Sequence, residues 1–206
     1  MHKMNLITAG TALEQAKKAL IMVHGRGGSA ENILGLSQRL KVKDFALIAP
    51  QATNHTWYPY SFLMPPHQNE PYLSSALQLL KSITEQIVSQ GIDEKELYFL
   101  GFSQGACLTL EFTARNAKQY GGIVAFTGGL IGDKIYPDNY AGNFEGTPIF
   151  IGSSDPDPHV PVQRVEETAA LLQKMNARVY KKIYAHGGHL VNEDEIAMAN
   201  KLVFTS

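Results

Sequence analysis

Short, nearly unbroken runs of apolar residues recur along the chain, and segments with helical apolar spacing lie between most of them. Continuous runs of this kind are typical of strands that are covered on both faces, as in a parallel sheet. Six strands are predicted, at residues 19–23, 45–49, 97–101, 122–126, 147–151 and 178–184. The pattern therefore predicts an α/β fold with a mostly parallel sheet.

Five helices are predicted from the apolar spacing, at residues 30–40, 73–90, 104–117, 162–176 and 193–204. Asn192, with Glu195 three residues later, forms a capping-box pattern at the start of the last helix. Because helices alternate with parallel strands, we expect one sheet with helices on both faces.

Three further segments fall outside this alternation. Residues 5–11, NLITAGT, could add an antiparallel strand at the edge of the sheet. Residues 50–71 and 127–146 are rich in Gly, Pro, Asn and aromatic residues, and we expect both to form loops that line a site. No repeat or flexible linker interrupts the chain, so residues 1–206 are expected to form a single domain.

Composition and charge narrow the classes of function. The chain has 206 residues, of which 44% are hydrophobic and 18% charged, as in an ordinary globular protein. The chain has 18 basic and 19 acidic residues. The basic residues form no stripe that could follow a phosphate backbone, which argues against a nucleic-acid partner. The apolar runs are shorter than the roughly 20 residues that span a bilayer, so no stable membrane insertion is expected.

The single cysteine, Cys107, lies in the apolar part of a predicted helix and is expected to be a buried core residue. One cysteine cannot form an internal disulfide, which fits a reducing compartment. We therefore expect a cytoplasmic protein. Its oligomeric state is predicted only as monomer or homodimer.

A pentapeptide at a predicted strand–helix junction carries the first candidate chemistry. Residues 101–105 read Gly-Phe-Ser-Gln-Gly and match G-x-S-x-G, the pattern of a nucleophile elbow. A strand that turns at once into a helix holds the serine in a strained conformation, and the two glycines leave room for the crossing chains. The hydroxyl of Ser103 then stands beside a helix N-terminus, where developing negative charge is stabilised. Ser103 is the candidate nucleophile.

A serine hydroxyl needs a base to take its proton, and a histidine is the usual one. Three histidines follow Ser103 along the chain: His159, His186 and His189. His189 is favoured because the segment YAHGGHLVNEDE follows the last strand and contains glycines that let a loop reach across the sheet. His186 lies closer to the strand end and is interpreted as a packed or surface residue.

The acid that orients the histidine is expected after the preceding strand, where Asp155 and Asp157 occur in the segment TPIFIGSSDPDPHVP. We prefer Asp157. Asp155, Asp157 and His159 could also be read as a metal cluster, but Asp-Pro-Asp-Pro is more often a turn sequence. No metal and no cofactor are predicted.

An oxyanion hole requires two backbone amides that point at one position, one of them from the residue after the nucleophile. Gln104 supplies that amide. The glycine-rich segment IMVHGRGGSAEN follows an early strand, and the amide of Arg26 is the second candidate. This segment matches neither of the common phosphate-binding patterns, so nucleotide binding is disfavoured. His24 is interpreted as structural.

Four motifs in order along the chain, VHGRGG, GFSQGA, DPHVP and HGGH, resemble those of the phospholipase/carboxylesterase family of α/β-hydrolases, to which the acyl-protein thioesterases belong. The resemblance covers nearly the whole chain. It implies a compact hydrolase without a separate lid domain. It also implies that Ser103 is the nucleophile, His189 the base and Asp157 the acid, because the family's acid directly precedes a Pro-x-Val-Pro segment.

The chain departs from the thioesterase branch in the segment NHTWYPYSFLMPPHQNEPYL, which is longer here, and in two extra residues at SSDPDP. Trp57, Tyr58, Tyr60 and Phe62 of the long segment could wall an apolar acyl pocket or could simply pack over the sheet edge.

We predict a carboxylesterase that acts on small-molecule esters. A thioesterase or a lysophospholipase acting on long acyl chains is the alternative, and a dienelactone-type hydrolase is less favoured because the nucleophile is a serine. A binding protein that retains the fold is disfavoured because every triad member has a candidate.

Overall fold

A seven-stranded sheet forms the centre of the computed structural model, which describes residues 1–205. The strands are β1 (Leu6–Gly10), β2 (Lys18–Val23), β3 (Phe45–Pro50), β4 (Leu97–Phe102), β5 (Gly122–Phe126), β6 (Pro148–Asp155) and β7 (Arg178–Ala185). Their order across the sheet is β1-β3-β2-β4-β5-β6-β7. Neighbouring strands are parallel except for β1 and β3. The predicted α/β fold with a mostly parallel sheet is confirmed.

Helices cover both faces of this sheet. They are α1 (Ala30–Leu34), α2 (Tyr72–Ser89), α3 (Gln104–Arg115), α4 (Val162–Lys174) and α5 (Glu193–Leu202). One buried apolar layer contains α2, α3 and α4, and the other contains α1 and α5. Along β2, Ile21 faces the first layer whereas Leu20 and Met22 face the second, which explains why the strand is apolar at successive positions. Among the helices of residues 1–205, none combines the length and hydropathy needed to cross a membrane.

The first helix is shorter than predicted. It ends at Leu34, and Gly35–Arg39 continues as a 3₁₀ turn instead of the α-helix expected up to residue 40. Glycine is a poor helix former, and the Gly35 N–H already bonds both to Glu31 O and to Ile33 O, as in a tightening last turn. The turn still buries Leu40 in the same apolar layer as α1.

Strand β6 is longer than predicted. The apolar pattern ends at Ile151, yet the strand continues to Asp155 because it pairs with β7 over its whole length, up to Asp155 opposite Ala185. Asp155 therefore lies in the strand and not in the loop where the sequence placed it. The antiparallel edge strand predicted within residues 5–11 is confirmed as β1, which pairs with β3 from Leu6–Pro50 to Gly10–Ala46.

The candidate residues come together because parallel strands end at one edge of the sheet. Ser103 directly follows β4, Asp157 follows β6, and His189 follows β7. The carboxyl ends of parallel strands are where open α/β sheets form their ligand sites. The topology thus brings residues far apart in the sequence to one end of the sheet.

Candidate active site

Ser103 occupies the sharp turn between β4 and α3. Its φ of 53° and ψ of −119° are sparsely populated for a residue with a side chain and cost about 1–3 kcal/mol. Two backbone hydrogen bonds hold it: its N–H donates to Phe126 O at 2.9 Å, and its carbonyl accepts from the Cys107 N–H at 3.0 Å. The turn is therefore fixed from both the neighbouring strand and the helix.

The glycines two residues on either side of Ser103 are required for steric reasons. A Cβ atom on Gly101 would collide with the backbone of Gly105, and a Cβ on Gly105 would collide with the carbonyls of Val23 and His24. Strand β4, helix α3 and the end of β2 can approach this closely only without side chains at these two positions.

Ser103, His189 and Asp157 form a chain of hydrogen bonds. Ser103 Oγ lies 2.7 Å from His189 Nε2, and His189 Nδ1 lies 2.9 Å from Asp157 Oδ2. An ionised carboxylate can only accept, so the Nδ1 proton points to Asp157. Nε2 is then left free to accept the hydrogen of the Ser103 hydroxyl. The arrangement allows proton transfer from the serine to the histidine.

The Asp157 carboxylate is completely buried and fully engaged. Its other oxygen, Oδ1, accepts from the backbone N–H groups of His159 at 2.8 Å and Val160 at 2.9 Å. Burial alone would raise the pKa of Asp157, but these amides and the hydrogen bond to His189 outweigh it and hold the pKa below its ordinary value. The carboxylate is therefore an anion that fixes the orientation of His189.

The alternative acid and base from the sequence lie elsewhere. Asp155 is exposed at the end of β6, and its carbonyl accepts from the backbone N–H of His186, which is also exposed. His159 contacts the site differently from a base, since its ring packs edge to face against His189. Within residues 1–205, no three His, Cys, Asp or Glu side chains converge as a metal site requires.

The amides of Arg26 and Gln104 lie at the same end of the sheet, and both residues line a cavity together with Ser103. Gln104 is the first residue of α3, so its N–H has no partner within the helix. In the described part of the chain, neither of the two N–H groups donates to a protein acceptor. Both amides are therefore available to an oxygen atom bound in the cavity.

His24 supports the loop that carries Arg26. Its buried Nε2 accepts from the Ala52 N–H at 3.1 Å, so the proton is on Nδ1, which donates to Gly25 O at 2.7 Å. Burial lowers the pKa of His24, which keeps the ring neutral. The indole N–H of Trp57 donates to the His24 carbonyl at 2.8 Å. This histidine is structural, as its position in the sequence indicated.

The cavity beside Ser103 has a volume of about 570 Å³. Tyr58, Tyr60, Phe62 and Cys107 are among the residues that line it, so three of the four aromatic residues considered for an acyl pocket lie beside Ser103. Trp57 does not line the cavity, so of the two alternatives for this residue packing applies. Its side chain is fully buried outside the cavity, where its ring packs against His24 with centroids 5.0 Å apart and its N–H is already bonded.

A buried glutamate that sequence reasoning missed holds the second long loop. Glu111 of α3 accepts from the Ile131 N–H at 3.0 Å and from the Tyr140 hydroxyl at 2.9 Å. Gly132 of this loop donates its N–H to Phe62 O at 2.7 Å, so the loop also supports the cavity wall. A single acidic residue within the apolar run ACLTLEFTA is the sequence signal that could have revealed this role.

The family model for Phospholipase/Carboxylesterase matches residues 7–205. The chain belongs to the phospholipase/carboxylesterase family. This chain is similar to the crystal structure of a phospholipase/carboxylesterase from Dyadobacter fermentans, with 50% sequence identity and a TM-score of 0.98. That match covers 99% of this chain and 98% of the other.

Other similar proteins are more distant. Acyl-protein thioesterase 1 of Debaryomyces hansenii is 29% identical over 220 residues, covering 95% of this chain and 93% of the relative. A carboxylesterase from Bacillus cereus shares the fold with a TM-score of 0.78 at 18% identity, over 96% of this chain and 92% of the other. The protein is thus a hydrolase of ester bonds with the α/β-hydrolase fold.

Proposed function

We propose that this protein is a serine carboxylesterase in which Ser103 is the nucleophile, His189 the general base and Asp157 the orienting acid. The observation that carries the proposal is the continuous hydrogen-bond chain from Ser103 Oγ through the His189 ring to Asp157 Oδ2, with distances of 2.7 and 2.9 Å. Each of the three residues follows the carboxyl end of a parallel strand, where this kind of sheet forms its ligand sites.

Acylation begins when the Ser103 hydroxyl gives its proton to His189 Nε2 while Oγ bonds to the ester carbonyl carbon. The electron pair of the carbonyl double bond moves to oxygen, and the free amides of Arg26 and Gln104 stabilise the oxyanion. Asp157, ionised because of its low pKa, stabilises the imidazolium that forms. Collapse of the adduct breaks the bond to the alcohol oxygen, which takes the proton from His189.

Deacylation repeats these steps with water. A water molecule gives a proton to His189 as its oxygen bonds to the acyl carbon, and the same two amides receive the second oxyanion. Collapse breaks the bond to Ser103 Oγ, which recovers its proton from His189. The acid is released, and the enzyme returns to its starting state without a cofactor in any step.

Polar groups in the cavity wall favour small esters as substrates. A volume of about 570 Å³ lies within the range of small-molecule sites, and polar residues, Arg26, Ser61 and His159, line part of it. A long unbranched acyl chain would leave these groups facing apolar surface. The alternative, hydrolysis of long-chain acyl thioesters, is favoured by the acyl-protein thioesterase 1 relatives, of which four are 26–29% identical.

The remaining proposals concern organisation and location. We propose a single domain over residues 1–206, supported by one sheet that runs from Leu6 to Ala185 with apolar layers on both faces. A cytoplasmic location is supported by the lone buried thiol of Cys107, which suits a reducing compartment.

The experiment that tests the function compares wild type, Ser103→Ala and the surface variant Ser89→Ala on nitrophenyl esters from acetate to palmitate. The expected result is a short-chain optimum in wild type and Ser89→Ala, with turnover abolished in Ser103→Ala. An optimum at palmitate supports the long-chain alternative. Wild-type turnover in a folded Ser103→Ala protein contradicts the assignment of the nucleophile.

A further inference from the structure

Residues 56–60, here called the strap, form part of the cavity wall through Tyr58 and Tyr60 and are bound by the side chain of Gln104. The Gln104 Oε1 atom accepts from the Trp57 N–H at 2.9 Å, and its Nε2 donates to the Tyr58 carbonyl at 2.8 Å. Gln104 is buried, so these bonds are shielded from water. Both polar atoms of the Gln104 side chain are therefore bonded to the strap.

Arg26 holds the same strap from its other end. Its Nη1 donates to the Pro59 carbonyl at 2.9 Å, and its Nη2 donates to the Tyr60 carbonyl at 2.7 Å. Both bonds are charge-assisted, although the arginine itself is exposed. The loop that carries Arg26 is also joined to the residue before the strap, because the Gly27 N–H donates to His55 O at 2.7 Å.

The hydroxyl of Thr56 is the point where the two side chains meet. Arg26 Nη1 donates to Thr56 Oγ1 at 2.9 Å. The same hydroxyl lies 3.3 Å from Gln104 Oε1 and 3.0 Å from Tyr58 O, and its one hydrogen serves these two acceptors. Thr56 therefore connects the arginine of one loop to the glutamine of helix α3.

We propose that the strap is a positioning element for the oxyanion hole, in which Thr56 couples the orientation of the Arg26 and Gln104 amides. The inference rests on the proposed function, which assigns those two amides to the oxyanion. Each residue lines the cavity with a backbone N–H that has no protein acceptor in the described chain, while its side chain binds the strap. Movement of the strap therefore changes the direction of both donors together.

The strap also connects the oxyanion hole to the substrate, because Tyr58 and Tyr60 line the cavity. An acyl or alcohol group that packs on these rings bears on the same segment that orients the amides. The Tyr60 end of the strap has a further support, since the Tyr60 N–H donates to Oδ1 of the fully buried Asn69 at 2.8 Å. Such a rigid support is what preorganised stabilisation of a transition state requires.

Thr56→Val is the first test, because valine has nearly the shape of threonine but has no hydroxyl. With nitrophenyl butyrate, kcat is expected to fall about fivefold while KM stays within about twofold, since misdirected donors weaken the transition state more than the ground state. The inhibition constant of a trifluoromethyl ketone should rise by the same factor as kcat/KM falls. This ketone forms a tetrahedral adduct when Ser103 Oγ bonds to its carbonyl carbon and the oxygen becomes an oxyanion.

Gln104→Met is the second variant, because it keeps the backbone amide and removes all of the side-chain bonds to the strap. We expect a loss in kcat of about tenfold or more. Asn200→Ala is the matched control, since the Asn200 side chain also joins backbone groups, Lys41 N and Arg39 O, but far from the cavity. It should retain wild-type kinetics.

Titration with a fluorophosphonate counts the active sites in every sample, so kcat refers to folded enzyme in each variant. Wild-type kcat and inhibition constants in both Thr56→Val and Gln104→Met would overturn the role of the strap while leaving the proposed function intact. A folded wild-type protein whose Ser103 is not labelled would overturn the proposed function and the strap with it. A parallel loss in kcat and in affinity for the ketone supports the proposal.

Discussion

The imidazole of His159 packs edge to face against the imidazole of His189, with ring centroids 4.9 Å apart and planes inclined by 75°. Phe102 contacts the same ring, at 5.4 Å between centroids. His189 is therefore held by aromatic packing as well as by its hydrogen bonds to Ser103 and Asp157. The backbone N–H of His159 also donates to Asp157, so one residue supports both proposed partners of the serine.

Replacing His159 tests how much the packing of its ring against His189 contributes to activity. His159→Ala is expected to lower kcat/KM by roughly 2–10-fold, because an aromatic pair contributes about 0.5–1.5 kcal/mol. His159→Phe keeps the edge-to-face contact and should stay close to wild type. Steady-state kinetics with a short nitrophenyl ester measure both variants. Equal losses in the two would show that the ring packing is not the cause.

Asp157 and Asp155 provide a matched pair for the acid. Asp157→Asn is expected to lower kcat by about 10³–10⁴-fold with little change in KM, because the amide no longer specifies the Nδ1–H tautomer of His189. Asp155→Asn should be nearly neutral, since that side chain is exposed at the end of β6. Kinetics of both proteins at pH 8 test the assignment. The reverse ranking would move the acid to Asp155.

The backbone of Ser103 is strained, so relief of this strain by glycine is expected to stabilise the fold. Ser103→Gly should raise the free energy of unfolding by about 1 kcal/mol relative to Ser103→Ala, because glycine adopts a φ of 53° without steric cost. Both variants should be inactive. Urea unfolding, followed by the fluorescence of the single, buried Trp57, measures the difference. Equal stabilities would mean that the turn stores no strain.

Tyr58 has a buried hydroxyl without a hydrogen-bond partner in the described chain, beside the weakly accepting thiol of Cys107. Tyr58→Phe is expected to raise the free energy of unfolding by about 1 kcal/mol, because an unsatisfied buried hydroxyl is removed. Tyr140→Phe is the contrasting variant and should lower it by a similar amount, since its hydroxyl donates to buried Glu111 at 2.9 Å. Thermal or urea unfolding decides between the signs.

Glu195 predicts a pH dependence of stability. Burial raises its pKa from 4.5 to about 7, although the Asn192 N–H donates to it. The folded chain therefore binds this proton more tightly than the unfolded chain does, and the resulting stability is lost as the pH rises from about 4.5 to about 7.

Glu195→Gln should flatten this part of the profile and raise the stability at pH 8 by on the order of 1 kcal/mol. Exposed Glu193→Gln is the control and should keep the wild-type slope. Urea unfolding at a series of pH values between 4 and 8 measures both variants. A slope in Glu195→Gln equal to that of wild type would contradict the prediction.

Much of the fold could be predicted because its strands are covered on both faces, so that β2 and β4 read as unbroken apolar runs. The end of β6 could not, because Ser153 and Ser154 are polar and buried and their place in the strand depends on pairing with β7. Gly35 ended α1 early for a local reason that the apolar spacing of its neighbours concealed.

The candidate site shows a similar division. The structure brings Ser103, His189 and Asp157 within hydrogen-bond distance, as their positions after three strands predicted, while their catalytic roles remain predictions. The buried position of Trp57 depends on a bond to His24 O, which no local pattern reveals. The strap was missed because the side chain of Gln104 acts on residues that are distant in sequence.

Because Cys107 is buried, the reactivity of its thiol can be used to follow unfolding of the chain. Burial raises the pKa of this single thiol to about 12, so almost none of it is thiolate at neutral pH in the native protein. An alkylating reagent such as a maleimide should modify it much more slowly in the native protein than in molecules that have opened. The same property leaves the native surface free of competing thiols, so one cysteine introduced on an exposed position can carry a spectroscopic label without any change to the core.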